Sequence, residues 1–575
     1  MTGVVRIANC SGFYGDRLSA AREMVEGGPI DVLTGDWLAE LTMLILAKDR
    51  LKNPAGGYAK TFVRQMEQVM GTCLERGIKV VANAGGLNPA GLAAALEELA
   101  GRLGLAPSIA YVAGDDLQPR LATLGPIVNL DTGVELGDRP VMTANAYLGG
   151  WGIAAALSAG ADIVVTGRVT DAAVVVGPAA WHHGWPRDDF DALAGAVVAG
   201  HVIECGTQAT GGNYAFFQEV PDLTHPGFPI AEIAADGSSV ITKHAAHGGL
   251  VSVGTVTAQL LYEITGPRYL NPDVTSRFDS VSLEQVGPDR VAVTGVRGEA
   301  PPATSKVCLN LLGGVKASLT FPLVGLDIEQ KADLLLRGLF SVVDRSSFQE
   351  CETDLIRSDH EDPARNETAV AQLRVTFKDP DESKFGRPLM AAVTELGLAS
   401  YPGFYAGPSA VQAYGVYWPA LVPSSLLMHE VVLGGVTTLV APTLLDGPAV
   451  ELEPVALAAV PTGPVVRSAL GRVFGARSGD KGGNANLGVW ARSGEAFAWL
   501  SWWLTPERLQ ELMPETASLL VERFDLPRIR SLNFVVHGLL GEGVASSTRL
   551  DAQAKSLGEY FRAKHAELPA ILLPQ

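Results

Sequence analysis

The sequence is poor in cysteine: only five of its 575 residues are Cys, and no two of them form a CxxC pair. An odd number of widely spaced cysteines argues against a disulfide framework and against a structural zinc site. No apolar run reaches the roughly 18 unbroken residues of a membrane helix. The first residues also lack the charged and apolar regions of a signal peptide. We therefore expect a soluble, cytoplasmic protein.

Positive charge is also scarce: the chain has 44 Lys and Arg residues and 62 Asp and Glu residues, which gives a net charge of −18. That sign is wrong for a general polyanion binder. Hydrophobic residues make up 47% of the chain, which allows a large core and argues against disorder. We expect a small-molecule substrate and further copies of the chain as partners, with neither nucleic acid nor a membrane among them.

Strand-like and helix-like segments alternate through the first 250 residues. The β-rich runs include IDVLTG, IKVVANAG and ADIVVTGR, and amphipathic stretches such as TFVRQMEQVMGTCLERG separate them. Gly77 is placed to end that helix, Pro89 to begin the next one, and Asp36 to cap the helix DWLAELTMLILAKDRL. Helices of this length between strands indicate parallel pairing. Residues 1–250 therefore predict an α/β region, with a mostly parallel sheet and helices on both faces.

The pattern changes after residue 250. Short β-rich pieces such as RVAVTGVRG, SKVCLNLLGG and VKASLTFPLVG predict a second region of mixed α+β character over residues 251–452. The stretch EPVALAAVPTGPVV, rich in Pro and Ala, is the best candidate for a linker. Residues 466–575 predict a small α+β unit that closes with the amphipathic helix DAQAKSLGEYFRAKHAEL.

Glycine stands beside Asp, Asn or Arg after each of the five strands predicted in the first region. Open α/β sheets bind ligands at the carboxyl ends of their strands, so we predict a site there. The alternative for each loop is that Asp or Asn only caps the following helix. The candidate residues at these strand ends are Asp16, for proton transfer, and Asn83, Gly85, Gly86, Asn88, Asp115, Asp116, Arg168 and Asp171, for substrate binding.

Two further segments hold candidate catalytic groups. Asp36 and Glu40 would share one face of a helix, where their like charges are either solvated or arranged around a cation or a proton-transfer site. Glu204 is a candidate general base, and Cys205 is either a nucleophile or an inert packing residue. Further candidates for substrate binding follow these two in the sequence, namely Thr207, Gly211, Gly212 and Asn213.

Two glycine-rich motifs suggest anion binding. Residues 150–155 fit the GxGxxA pattern of nicotinamide cofactor sites, although the preceding VMTANAYL is a poor strand. Residues 477–486 place Arg477, Lys481 and Asn484 in a Gly-rich turn that suits a nucleotide or coenzyme A phosphate. We expect this loop to contact the anionic end of the substrate, and an ordinary tight turn is the alternative. No compact metal-ligand spacing is present, so a divalent cation stays an open question.

Long stretches of the sequence resemble the acyclic terpene utilisation AtuA family. They include SGFYGDR, GDWLAELTM, NAGGLNP, GADIVVTGRVTDAA, GHVIECGTQATGGN and ARSGDKGGNANLG. One departure is Asn9-Cys10, where a glycine-rich pair is expected. The resemblance implies a large α/β region followed by a small ferredoxin-like C-terminal unit. It also implies a role in the catabolism of branched or terpenoid acids that are carried as coenzyme A thioesters.

These observations lead us to expect an enzyme that hydrates, dehydrates or cleaves a 3-hydroxyacyl-CoA, with coenzyme A as part of the substrate. Glu204, Asp36 and Asp16 are the candidates for moving the proton. The Gly85-Gly86 and Gly211-Gly212 turns are the candidates for holding the thioester enolate with their N–H groups. The alternatives are a nicotinamide-dependent oxidoreductase and a non-catalytic subunit of an acyl-CoA carboxylase or hydratase assembly.

Overall fold

The computed structural model describes residues 3–574, except for the side chains of Glu40, Leu41 and Pro388. These residues form two compact units, each built from segments that are distant in sequence. The first contains the chain up to residue 310, residues 418–540 and the chain from residue 553, and the second contains residues 311–417 and 541–552. The sequence predicted boundaries at residues 250, 452 and 466 between continuous stretches of the chain. The two units are not continuous stretches, so they do not test these boundaries, which stay predictions.

The first 300 residues alternate between strands and helices. The strands are β1 (Val5–Asn9), β2 (Val32–Gly35), β3 (Lys79–Ala82), β4 (Ile109–Ala113), β5 (Val141–Ala146), β6 (Ile163–Thr166), β7 (Pro229–Ile233), β8 (Ser239–Lys243), β9 (Arg268–Leu270), β10 (Thr275–Arg277), β11 (Ser282–Gly287), β12 (Arg290–Thr294) and β13 (Arg297–Glu299). The helices are α1 (Ala20–Glu26), α2 (Glu40–Lys52), α3 (Lys60–Arg76), α4 (Pro89–Leu103), α5 (Trp151–Ser158), α6 (Ala173–His183), α7 (Phe190–Ile203) and α8 (Val253–Leu260).

Strands dominate the rest of the chain. They are β14 (Thr304–Val324), β15 (Glu350–Ile356), β16 (Val370–Asp379), β17 (Ser409–Pro423), β18 (His429–Leu433), β19 (Val436–Val440), β20 (Val465–Ala469), β21 (Phe474–Lys481), β22 (Asn484–Ala491), β23 (Val521–Leu526), β24 (Ser531–Val536) and β25 (His565–Pro569). The helices are α9 (Ile328–Val342), α10 (Arg387–Glu395), α11 (Gly494–Trp503), α12 (Pro506–Leu512) and α13 (Leu557–Ala563). Across the described residues, no helix combines the length and the apolar character that crossing a membrane requires.

A mixed sheet forms the centre of the first unit, with the order β11-β12-β8-β7-β1-β2-β3-β6-β4-β18-β19 in the described residues. The five strands from β1 to β4 in this order are parallel. They are the five strands predicted from the sequence. Antiparallel strands extend the sheet on both sides. The predicted α/β class is therefore confirmed, and the carboxyl ends of the parallel strands lie along one edge.

Helices cover both faces of this parallel core. On one face, α1, α3 and α4 pack with Leu33 and Val80 in a single hydrophobic cluster. The alternate strand residues Ile7, Val32 and Val81 are equally buried but lie outside that cluster. Because successive side chains of a strand point to opposite faces, these residues face α6, which contacts β1, β2 and β3. The predicted layering of helix, sheet and helix is thus present.

Four local predictions need correction. Helix α2 begins at Glu40, so Asp36 precedes the helix and does not share a helical face with Glu40. The segment judged a poor strand is β5, which pairs outside the large sheet. The two short pieces predicted around residues 305–325 form one long strand, β14. The closing amphipathic helix ends at Ala563, and β25 follows it.

Four smaller sheets accompany the large one in the described residues: β13-β10-β9, β20-β25 and two larger ones. In the second unit, β14, β15 and β16 pair in antiparallel fashion, and α9 and α10 pack on them through a common hydrophobic cluster. Near the C-terminus, β21-β22-β24-β23 form an antiparallel sheet, and α11 and α13 contribute to its core. This small α+β structure agrees with the unit predicted there.

Candidate functional site

Three of the predicted strand-end loops meet above the parallel sheet. Asp36 follows β2, and its Oδ1 accepts a hydrogen bond of 2.6 Å from the side-chain amide of Asn83, which follows β3. Arg168 follows β6, and its guanidinium donates to the backbone carbonyl of Leu38 and, over 2.8 Å, to the carboxylate of Asp171. These four side chains, all predicted as site residues, therefore form one network.

Burial changes the protonation of this network. Only 8% of Asp36 and 2% of Arg168 are exposed. Burial raises the pKa of Asp36 well above its usual range, the charge of Asp171 raises it further, and the charge of Arg168 opposes both effects. These effects together favour the protonated form of Asp36, beside an ion pair between Arg168 and Asp171.

Asp115 anchors the loop that carries Arg168. Its Oδ2 accepts the backbone N–H of Arg168 and the side-chain amide of Asn145, both over 2.8 Å. A Cβ atom on Gly167 would collide with the other carboxylate oxygen, so this position requires glycine. Burial raises the pKa of Asp115 to about 7, although both hydrogen bonds lower it. Asp115 thus supports the network through the backbone of Arg168.

Glu204 and His201 form a second buried pair, at the end of α7. The Nδ1 atom of His201 lies 3.2 Å from Oε1 of Glu204, and 1% and 5% of the two side chains are exposed. Oε2 of Glu204 has no hydrogen-bond partner among the described residues. The side-chain amide of Asn9, at the end of β1, donates to the backbone carbonyl of Glu204 over 3.2 Å. Asn9, the departure from the family pattern, therefore holds the Glu204 segment against the strand ends.

Burial determines the direction of the pKa shift of both groups. Burial raises the pKa of Glu204 well above its usual range; Asp171 and then Glu263 raise it further, whereas Lys481 and Arg168 lower it. Burial, and then the charge of Lys481, lower the pKa of His201 to about 4. These shifts favour the neutral form of each group, and a neutral carboxyl group is able to donate a proton.

The C-terminal sheet supplies the cations near this pair. Residues 477–481 are strand β21 and not a loop, so the expected Gly-rich loop is corrected to a β-hairpin. The guanidinium of Arg477 donates to the side chain of Gln208, four residues after Glu204, and lies 4.2 Å from the ring centroid of Tyr262. The ammonium of Lys481 lies 5.7 Å from the ring centroid of Tyr269. This segment therefore reaches the Glu204 region, and its contact with substrate stays a prediction.

Other predicted site residues serve the local backbone. Both oxygens of Asp16 accept N–H groups of their own loop, from Gly12 and Arg17. Asn88 caps α4, Asp116 accepts the N–H of Gln118, and Asn484 bonds to Asp131. Asn213 is exposed and has a positive φ. The side chain of Glu40 lies outside the described residues. The helix-cap or turn alternative fits the contacts of Asn88 and Asp116, whereas the bond of Asn484 to Asp131 links two distant segments of the chain.

The glycine turns do not fit the enolate-holding role expected of them. The N–H of Gly86 donates to Asn83, that of Gly211 to Gln208, and that of Gly212 to the carbonyl of Thr207. These donors are already used within their own turns. A Cβ atom on Gly85 would collide with the carbonyl oxygen of Thr166, so this glycine permits close packing of two strand-end loops.

Cys205 does not fit the role of nucleophile. Burial raises the pKa of its thiol well above the usual range, and Glu204 and Glu263 raise it further, so the reactive thiolate is disfavoured. A Cβ atom on Gly12 would lie 2.6 Å from the carbonyl carbon of Cys205. Cys205 therefore marks a close approach between the loop after β1 and the end of α7.

The structure argues against a nicotinamide site at residues 150–155. The N–H of Gly150, at the start of α5, donates to the carboxylate of Asp273 over 2.6 Å, and a Cβ atom on Gly149 would collide with the same group. A dinucleotide needs this helix end for its pyrophosphate. The buried Asp273 carboxylate already occupies it.

Sequence reasoning missed several members of the site. His201 has a recognisable pattern, because it lies three residues before Glu204 on a helix. Glu263, Tyr262 and Tyr269 follow α8 and have no local pattern that distinguishes them. Within the described part of the chain, no group of three or more His, Cys, Asp and Glu side chains is arranged to hold a metal ion.

Comparison with known proteins agrees with the fold. Residues 5–433 match the model of the family described as acyclic terpene utilisation family protein AtuA. Residues 468–566 match the AtuA ferredoxin-like domain, which confirms the predicted type of the C-terminal unit. No curated protein and no solved structure matches the chain.

Proposed function

Because the chain belongs to the acyclic terpene utilisation AtuA family, we propose that it is an enzyme of terpenoid or branched-chain acid catabolism that acts on a 3-hydroxyacyl-CoA. The proposed chemistry is the addition or removal of water, or cleavage of the bond between carbons 2 and 3. The proposal combines the family role with a site that has two buried carboxyl groups of raised pKa and two nearby cations. A hydride-transfer function has no comparable support, since Asp273 occupies the helix end at the motif.

The observation that carries the proposal is the state of Glu204. Its carboxyl group is buried, has a pKa raised well above its usual range by that burial, and leaves Oε2 without a partner among the described residues. A buried acid of raised pKa is typical of general acid–base catalysis. The nearby charges of Lys481 and Arg168 are of the sign that stabilises an enolate.

Both reactions need carboxyl groups that transfer protons and positive charge that stabilises a thioester enolate. In dehydration, a carboxylate removes the proton from carbon 2, charge moves onto the thioester oxygen, and a protonated carboxyl group gives its proton to the 3-hydroxyl, which leaves as water. In cleavage, a carboxylate removes the hydroxyl proton, the bond between carbons 2 and 3 breaks, and a carbonyl product and a thioester enolate form. We assign these two roles to Glu204 and Asp36, one ionised and acting as the base and the other protonated and acting as the acid, and we assign charge stabilisation to Lys481 and Arg168.

The test is turnover of 3-hydroxyacyl-CoA thioesters, with 3-hydroxy-3-methylglutaryl-CoA and a longer branched analogue as probes, in the presence and absence of Mg²⁺. Enoyl-CoA or cleaved products are followed by mass spectrometry. We expect product from the wild type and none from Glu204→Gln. Absence of turnover, together with no shift of melting temperature on adding these thioesters, would overturn the proposal. Wild-type turnover that survives in Glu204→Gln would reject the assigned site only.

A further inference from the structure

The two edge strands of the large sheet differ in how well they are protected against pairing with a further strand. At one edge, β11 has a register shift between Gln285 and Gly287 and carries the charged Glu284. Both features discourage pairing with another strand. The other edge is β19, whose partner β18 is paired in regular register along its length. The residues from 431 to 445 include no Asp, Glu, Lys or Arg.

In the hairpin formed by β18 and β19, the edge strand β19 is exposed to solvent along most of its length. Gly434 and Gly435 both have positive φ, as a two-residue hairpin turn requires. Four consecutive residues of β19 are exposed, from Val436 to Leu439, so neither face of the strand is covered there. The exposed fractions of Val436 and Leu439 are 68% and 62%. An exposed, uncharged strand of high β-propensity at a sheet edge is a template for further pairing.

We propose that β19 pairs with β19 of a second copy of this chain, in antiparallel fashion about a two-fold axis at Thr438. Such pairing places Val436 opposite Val440, Thr438 opposite its own copy, and Thr437 opposite Leu439, so that no charged residue enters the interface. The distribution of charge favours this edge as the interface between the two copies. Two copies that each carry −18 repel one another, and the uncharged stretch from residue 431 to 445 opposes no like charges.

The experiment measures the mass of the full chain by sedimentation equilibrium. We expect the wild type to be a dimer, and Thr438→Lys to raise the dimer dissociation constant by at least about tenfold, because it sets two ammonium groups opposite each other. Val286→Lys, at a half-exposed position on β11, is the matched control and should remain dimeric. Unchanged melting curves of the separated chains would show that the substitutions do not unfold the protein.

A charge swap tests the register. Thr438→Glu alone should also be monomeric, and an equimolar mixture of Thr438→Glu and Thr438→Lys should recover the dimer. A monomeric wild type, a Thr438→Lys variant that stays dimeric, or a mixture that stays monomeric would each overturn the proposal. None of these outcomes depends on the proposed enzymatic activity.

Discussion

The imidazole of His201 and the carboxyl group of Glu204 face each other across 3.2 Å, one helical turn apart, and almost no solvent reaches either group. Tyr269 and Phe278 pack against the imidazole, with ring centroids 5.1 and 5.3 Å away. This packing holds the ring beside Oε1 of Glu204, while Oε2 is buried and has no hydrogen-bond partner among the described residues. We take the side of Oε2 as the reactive side of the pair.

Replacement of Glu204 by Gln tests the reactive side. Gln keeps the volume and removes the proton that can be transferred, so we expect kcat to fall by about 10²–10⁴-fold, the usual contribution of general acid–base catalysis. Stability should not fall, because a neutral amide replaces a buried carboxyl group. Asp116→Asn is the control, since Asp116 is exposed in the loop after β4. Equal losses in both variants would contradict this assignment.

The stability of the protein should depend on the protonation of Asp115. Its folded pKa is about 7 and its unfolded pKa is near 3.8, so between these values the folded state holds a proton that the unfolded state releases. The free energy of unfolding should therefore decline as pH rises from 4 to 7, by about 4 kcal/mol at 1.36 kcal/mol per pKa unit. Urea unfolding at several pH values measures this slope. In Asp115→Asn the slope should become shallower; an unchanged slope would contradict the prediction.

Arg168 should matter far more for stability than a surface arginine. Arg168→Met leaves Asp171 and the carbonyl of Leu38 without their donor, and we expect the free energy of unfolding to fall by about 3 kcal/mol. Arg102→Met removes only an exposed ion pair with Glu98 on α4, and its effect should stay under about 0.5 kcal/mol. Chemical denaturation of both variants makes the comparison. Similar effects would show that the Arg168 network is not a buried support.

The two cations of β21 should behave differently when they are removed. Arg477 is buried and contacts Gln208 and Tyr262, so Arg477→Ala should lower the free energy of unfolding by about 1–3 kcal/mol. Lys481→Met should leave the melting temperature nearly unchanged and weaken binding of a coenzyme A thioester by roughly 1.5–3 kcal/mol. Calorimetric titration and thermal melting separate the two effects, and unweakened binding by Lys481→Met would contradict the proposed contact.

The sequence alone determined the parallel core of the fold, because local patterns specify it. Each of the five strands is a short apolar run, and amphipathic helical segments separate the strands in the sequence. Gly77 and Pro89 lie where a helix must end or begin. The rule that ligands bind at strand carboxyl ends then selected Asp36, Asn83 and Arg168, which the structure brings together.

Only the tertiary structure decided the rest of the site. Lys481 and Glu204 are separated by more than 270 residues, and no local sequence pattern predicts that β21 approaches the end of α7. The burial that raises the pKa of Glu204 and lowers the pKa of His201 comes from residues on several elements, so it has no sequence period of its own. For the same reason the sequence did not separate Asn88, which caps a helix, from Asn83, which bonds to Asp36: both follow the same strand, and only their partners in space differ.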